Sequence, residues 1–397
     1  MATFSGTLDG KNAAIKKKIL GLCMSDDRSI AELSRALNSS IPTITKLVGE
    51  LIEERFLQDK GKQGTSGGRR PSIFGLNGGA GYLAGVDVGR KTISVAITDF
   101  RGTLVHFAED IPFILENSQS SFSALCEIVR KQLGQAGVSI SQVITCGFNL
   151  SGRVNSETGY SFTYLLGEYH PLTDILSELL GVHVTIENDS RAMTYAEYLT
   201  GCTDEKNVVF VNVSWGLGMG LIVDGKLYYG KSGYSGEIGH VPMLNNDVIC
   251  QCGKVGCLET GASSSAVHRI ILERLAEGRS SVLTKKYAKG QEITLYNIVD
   301  AALEEDVLTI EVIEEIGNCL GRAIAGIINI FNPDLVVIGG RLAATKDYLM
   351  LPIKSSINKH SLNIVSQDTS VRLSKLGNKA GALGACLLSR SKLLGII

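Results

Sequence analysis

A chain of 397 residues with 44% hydrophobic and 20% charged residues has the make-up of an ordinary globular protein, long enough for two or three domains with full cores. Its net charge of −1 excludes a polycation as a whole. The start, MATFSGTLDGKN, lacks the apolar stretch of a signal peptide, and no run of about 18 apolar residues offers a membrane span, so a cytoplasmic protein with no membrane partner is expected. The charge is uneven: Met1 to Gly78 carries 12 Lys and Arg against 8 Asp and Glu, and the remainder 27 against 32. An anionic partner for the N-terminal part is the simplest consequence.

Residues 11–24, KNAAIKKKILGLCM, place Ile15, Ile19, Leu20 and Leu22 on the inner side of a first helix. Ser29, with Glu32 behind it, makes the capping box of a second, SIAELSRALN. After a break at Asn38 to Ser40, a third helix is expected over roughly Pro42 to Glu54, with Pro42 in its first turn. Ile44, Leu47, Val48 and Leu51 would pack inward, and Thr43, Thr45 and Lys46 would face a DNA groove. Two short helices joined by a tight turn form a helix-turn-helix. The next stretch, FLQDKGKQGTSGGRRPSIFGLN, has two β-prone ends around a Gly-, Ser- and Lys-rich tip and reads as a wing. Lys60, Lys62, Arg69 and Arg70 would supply phosphate contacts, and an arginine among glycines can enter a narrow minor groove. One recognition helix reads only a half-site, so at least a homodimer on a palindromic operator is expected. The pieces IAELSRALN, ITKLVGELIEE and GGRRP resemble the winged helix of regulators in the ROK (repressor, ORF, kinase) family.

GGAGYLAG reads as a flexible joint. Beyond it, YLAGVDVGRKTISVAITDFRGTLVHFAED gives three strands. A helix near Phe122–Gln135, the strand VITCGFNL, the helix TDILSELLG, the strand VHVTIEN and a helix from Ser190 to Leu199 follow. From Asn207 the order restarts. Strands with two glycine turns come first, then a cysteine-rich loop, helices, the strand LVVIGG, a strand around Val371–Leu376 and a final helix from Lys379. The same order twice predicts a duplicated α/β unit with a cleft between its halves.

The cysteine-rich loop carries the most specific chemistry. His240, Cys250, Cys252 and Cys257 form an H-x9-C-x-C-x4-C cluster, and one imidazole with three thiolates suits tetrahedral zinc. No position is left for an activated water, so the site reads as structural. Adjacent C-x-C cysteines pair badly as a disulfide. Glu237 and Glu259 frame the cluster, and the second imidazole nitrogen of His240 is available to a hydroxyl, an arrangement suited to a polyhydroxylated ligand. The other six cysteines stand in apolar surroundings and read as core residues.

IEND at 186–189, GEIGH at 236–240 and CQCGKVGCLE at 250–259 resemble the ROK kinase-type domain over residues 80–397. The resemblance implies an α/β fold: a winged helix-turn-helix over 1–78, then a two-lobed actin/sugar-kinase-like (ribonuclease H-like) domain. Its first lobe would span 79–200, with the C-terminal helix 379–397 packing back on it, and its second lobe, with the zinc loop, 201–378. The resemblance also implies dimers or tetramers, and sugar hydroxyls held by Asn188, Asp189, Glu237, His240 and Glu259. In family members that phosphorylate sugars, the residue at Asp189 is the general base, a role a carboxylate at a strand end can fill. The phosphate side departs from the pattern. Asp87-Val88-Gly89-Arg90-Lys91 stands for D-x-G-G-T, Gly216-Leu217-Gly218-Met219-Gly220 for G-T-G-x-G, and Arg191 for the last Asn of E-N-D-x-N. Gly339–Gly340 resembles the adenosine-side glycine pair. Asp87, Gly89, Gly216, Gly218, Gly339 and Gly340 are therefore the nucleotide-side candidates. The expected function is a regulator of carbohydrate genes, usually a repressor in this family, responding to a sugar or sugar phosphate and holding structural zinc. The alternative is a sugar kinase of the glucokinase type, which alone would need ATP and Mg2+.

Overall fold

The structure, a computed structural model, describes residues 12–62, 71–162 and 170–397. Two compact units are present. The first comprises the chain up to Ala192 together with Gly381–Ile397, and the second Met193–Ala380.

The first unit opens with α1 (Ala13–Ser25), β1 (Arg28–Ser29), α2 (Ile30–Ala36), α3 (Ile41–Glu53), β2 (Leu57–Lys62) and β3 (Ser72–Leu76). Local chemistry sets these boundaries. Ser29 Oγ accepts from the Glu32 amide, and the Glu32 carboxylate takes the Ser29 amide in return at 2.8 Å. Ser40 caps α3 by accepting from the Thr43 amide, with Pro42 in the first turn, where its missing N–H costs nothing. Helix α3 buries Ile44, Leu47, Val48 and Leu51 and leaves Thr43, Thr45 and Lys46 in solvent. β2 and β3 pair antiparallel, Leu57 opposite Leu76, and β1 adds to the other edge of β3.

The joint is not a free linker. Gly78–Ala80 form a single 3-10 turn capped by Asn77, and β4 (Tyr82–Val88) starts directly after it. The core of the helical module is completed from elsewhere in the chain. Phe100 and Leu394, 0% and 2% exposed, belong to the same apolar cluster as Ile19, Leu20, Leu47 and Leu51. The ring of Phe100 lies tilted against Phe56, with centroids 5.7 Å apart. A glycine-rich stretch tells of backbone freedom, whereas this docking rests on apolar burial between segments far apart in sequence.

The first unit continues with β5 (Thr92–Asp99), β6 (Leu104–Pro112), α4 (Gln119–Gln135), β7 (Val143–Leu150), β8 (Val154–Asn155), β9 (Tyr160–Ser161), α5 (Leu172–Leu180), β10 (His183–Asn188) and the start of α6 (Asp189–Gly201). Its main sheet has the order β10-β7-β4-β5-β6. β4 and β5, and β5 and β6, are antiparallel, while β4–β7 and β7–β10 are parallel.

The second unit repeats this plan. β11 (Val208–Val213), β12 (Leu217–Val223) and β13 (Lys226–Leu227) form an antiparallel meander. After α7 (Glu259–Ala262), α8 (Ser264–Ala276), α9 (Thr284–Ala288), α10 (Leu295–Leu303) and α11 (Val307–Phe331) comes β14 (Leu335–Gly339). It adds parallel to β11, and β15 (Ser370–Leu373), beyond α12 (Asp347–His360) and α13 (Asn363–Asp368), adds parallel to β14. The order β13-β12-β11-β14-β15 matches that of the first unit strand for strand, the duplication expected from the sequence. Helix α11 packs tightly on α12 because Gly321 lacks a side chain; a Cβ there would stand 2.5 Å from Ser356 Cβ. The chain returns to the first unit in α14 (Ala380–Leu393), which follows a 3-10 turn over Gly377–Lys379. Among the described residues no helix is long and apolar enough to cross a membrane.

Because Phe100 fills the junction between the helical module and the sheet of the first unit, Phe100→Ala should cost about 3–5 kcal/mol. Urea unfolding followed by circular dichroism measures this. A loss under about 1 kcal/mol would mean that the junction contributes little to stability.

Candidate ligand and metal site

The cysteine-rich loop of the second unit has almost no regular structure. Two isolated bridges, Pro242 with Cys257 and Ile249 with Val255, fold it back on itself. Gly253 and Gly256 take φ of +83° and +76° at the bends that bring the sulfurs together. His240, Cys250, Cys252 and Cys257 then offer four donor atoms that all lie within 4.8 Å of one another. Cys252 Sγ is 3.6 Å from Cys257 Sγ, and Cys250 Sγ is 3.5 Å from His240 Nδ1. Bonds of about 2.0–2.3 Å to a tetrahedral ion give ligand–ligand edges of this size. The cluster can therefore hold a metal ion.

The two nitrogens of the His240 imidazole face different partners. Nδ1 faces the thiol of Cys250, and Nε2 faces out, 3.7 Å from Glu237 Oε2. Glu237 is exposed and His240 partly so. Glu259 does more than its position after the last cysteine indicates. Its Oε2 accepts the Leu217 amide at 2.9 Å and its Oε1 lies 3.7 Å from Cys250 Sγ. One carboxylate thus joins the metal cluster to the second glycine turn. Gly239 is held close to the same turn, since a Cβ there would meet Leu217 O at 2.4 Å. Sequence spacing could show that Glu237, His240 and Glu259 share a loop, but not that Glu259 reaches back to residue 217.

Asn188 and Asp189 belong to the first unit, at the end of β10 and the start of α6. Asn188 Oδ1 accepts from the Arg191 amide in the manner of a helix cap, and its Nδ2 donates to Gly152 O at 3.1 Å. Asp189 Oδ1 accepts from the amide and hydroxyl of Ser190.

Glu187, immediately before them, was not singled out from the sequence. It is 2% exposed. Its Oε1 accepts from Arg191 Nε at 2.7 Å and from the Asn188 amide at 2.8 Å, and its Oε2 accepts from Lys392 Nζ at 2.9 Å. Burial alone would raise its pKa, but Lys392 and Arg191 hold it down, to about 2. Arg191, which departs from the kinase pattern, also donates to Val154 O at 3.3 Å. Its guanidinium is enclosed within the first unit and compensates Glu187. An acid and a base four positions apart at a helix start were the available signal.

The nucleotide-side candidates have structural roles visible in their surroundings. Asp87 lies against the N-terminus of α14, where a Cβ on Gly381 would come within 2.3 Å of its carboxylate. Gly89 donates to Thr92 O at 3.0 Å and closes the first turn, leaving Arg90 and Lys91 exposed at its tip. A Cβ at Gly216 would sit 2.7 Å from Glu259 Oε2, and one at Gly339 would meet the Phe210 ring at 2.2 Å. Gly218 pairs with Asn212 in the β11–β12 ladder. Gly340 has a φ of +84°. At the other end of the chain, Lys60 and Lys62 are exposed on β2, while Arg69 and Arg70 lie outside the described residues.

A profile of the ROK family matches residues 83–392. The chain belongs to the ROK family. Over 396 residues it is 29% identical to a putative xylose repressor of Caldicellulosiruptor sp. (strain Rt8B.4), covering 97% of this chain and 98% of that protein. A glucokinase of Halalkalibacterium halodurans is 32% identical over 308 residues, covering 76% of this chain and 93% of the enzyme. The crystal structure of a ROK family transcriptional regulator, a homologue of the E. coli MLC protein, superposes with a TM-score of 0.78 at 28% identity, over 97% of this chain and 96% of its own. Similarity to the repressor and to the regulator structure thus extends through nearly the whole chain, the helical module included.

The Glu187 pairing has a testable pH dependence. Its carboxylate titrates near 2 in the folded protein against 4.5 ordinarily, so it stabilises the fold above about pH 4.5, and that contribution is lost as pH falls towards 2. Glu187→Gln should flatten the acid limb of the unfolding midpoint in this window. An acid limb as steep as that of the wild type would show that other carboxylates produce it.

Proposed function

We propose that this chain is a sugar-responsive, DNA-binding transcriptional regulator of carbohydrate metabolism, acting as a repressor in the cytoplasm. The observation that carries this reading is the capped helix α3, with Thr43, Thr45 and Lys46 exposed and its inner face anchored in a core shared with the ROK domain. The similarity to a xylose repressor across almost the full chain supports it. Residues 1–78 would bind DNA, with Lys60, Lys62, Arg69 and Arg70 on phosphates, as a homodimer or homotetramer on a palindromic operator. The effector is a sugar or sugar phosphate held by Asn188, Asp189, Glu237, His240 and Glu259. Zinc on His240, Cys250, Cys252 and Cys257 would fix the loop and, through it, the two glutamates.

A second reading, an ATP-dependent sugar kinase, is favoured by the retained Asp189 and by the identity to a glucokinase. Two exposed cations, Arg90 and Lys91, at the first turn and a leucine at the second weigh against it. A coupled ATP-consumption assay with hexoses, hexosamines and pentoses separates the readings. Sugar-dependent turnover that disappears in Asp189→Asn would establish the kinase.

For the regulator, fluorescence anisotropy on an operator selected from random duplexes gives two opposite expectations. Asp189→Asn should leave operator affinity within about twofold while abolishing the response to the sugar found by thermal-shift screening. Lys46→Ala should weaken operator binding and lower the salt slope by about one, with sugar binding unchanged. If Asp189→Asn weakens DNA binding as much as Lys46→Ala does, the assignment of the two sites fails.

Zinc is expected at one ion per chain in protein prepared without chelator. Removing it should weaken sugar binding at chelator concentrations that leave the far-ultraviolet spectrum intact. Elemental analysis finding no zinc would contradict the assignment.

A further inference from the structure

The last turn of α14 and the residues after it touch three separate parts of the first unit. Lys392 Nζ donates to Glu187 Oε2 at 2.9 Å and to Ile186 O at 3.2 Å, so it pins the end of β10 immediately before Asn188 and Asp189. Arg390, 3% exposed, donates to Phe100 O at 2.9 Å. Phe100 in turn packs on Phe56, whose amide bonds to Leu51 O in the last turns of α3. Leu394 is buried in the cluster that holds Leu47 and Leu51 of α3. A Cβ on Gly21 of α1 would stand 3.1 Å from the Ile396 side chain.

This arrangement is stiff for a physical reason. Glu187 is held as a charge away from water by two cations, and removing Lys392 leaves Arg191 as the one cation still paired with it, at 2.7 Å. A movement of Glu187 towards solvent would carry the following residues with it through its bond to the Asn188 amide. At the other end, close packing transmits displacement because a filled core has little compressibility.

We propose that Lys392 is a positioning residue for Asn188 and Asp189, and that the segment 390–396 ties the placement of these two residues to the winged helix. The role of Asn188 and Asp189 as effector contacts rests on the function proposed above. The mechanical tie does not, and it is tested without sugar or DNA.

The experiment is hydrogen exchange read by mass spectrometry on the full-length protein. Lys392→Met removes the ammonium and keeps the stem. It should speed exchange about tenfold both in 186–191 and in the amides of α3, which Lys392 does not touch. In a Glu187→Gln background the same substitution should have a smaller effect on α3, because the ion pair is already gone and only the bond to Ile186 O and a neutral bond remain to be lost. Leu394→Ala reads the tie in the opposite direction and should speed exchange at 186–191. It also gives the answer alone if Lys392→Met does not fold. Leu125→Ala, in the separate apolar cluster of the same unit, is the control and should leave α3 at wild-type rates. The proposal is overturned if exchange changes stay with the residues touching the substituted side chain. It is equally overturned if Leu125→Ala loosens α3 as much as Lys392→Met does. Loss of sugar or DNA binding in other assays would bear on the regulator reading and leave this result standing.

Discussion

A single buried carboxylate organises the first unit. Taking a charge out of water costs several kcal/mol, and the cost is offset only where opposite charges and hydrogen bonds meet it in good geometry. Glu187 has Arg191 from the same helix start, Lys392 from the C-terminal helix and the Asn188 amide. These demands fix the end of β10, the start of α6 and the last turn of α14 relative to one another. Arg191 extends the constraint to β8 through Val154 O. Asn188 and Asp189 stand between these elements, at the end of β10 and the start of α6.

The second unit reaches a comparable precision by different means. Its loop of residues 240–257 has neither a helix nor an extended ladder to hold it, and its turns depend on glycines in left-handed conformations. Four converging donor atoms provide the missing constraint if an ion occupies them. Glu259 then relays that order to the glycine turn at residue 217. Two glutamates thus depend on neighbouring polar geometry in different ways. Glu187 is buried and neutralised by side chains, while Glu259 is half-buried and shared between a backbone amide and the cluster.

Much of the fold was legible in the sequence because its signals are local. The Ser29–Glu32 capping box, the inward set Ile44, Leu47, Val48 and Leu51, and the doubled order of strands and helices depend on residues close along the chain. The cysteine spacing was legible for the same reason. What escaped was non-local. Phe100 and Leu394 complete the winged-helix core from distant positions, so a glycine-rich stretch read as a joint is in fact a docked turn. Arg191 looked like a lost nucleotide contact until its partner Glu187 was seen to be buried. The second task of Glu259 needed the 42-residue separation from Leu217 to be closed in space.

The glycine turns show why resemblance at glycines says little about what a turn binds. Gly89 closes a turn against Thr92 O, and Gly216, Gly239 and Gly339 each stand where a Cβ would collide with a neighbour. The collision at Gly239 is with the backbone, and those at Gly216 and Gly339 are with the side chains of Glu259 and Phe210. Between these glycines, the tip of the first turn carries Arg90 and Lys91, and the second turn carries Leu217, whose amide is taken by Glu259. Glu259 places a carboxylate oxygen 2.9 Å from the amide that this turn would otherwise offer to an anion. The side chains between the glycines, and not the glycines themselves, thus mark the turn's chemistry.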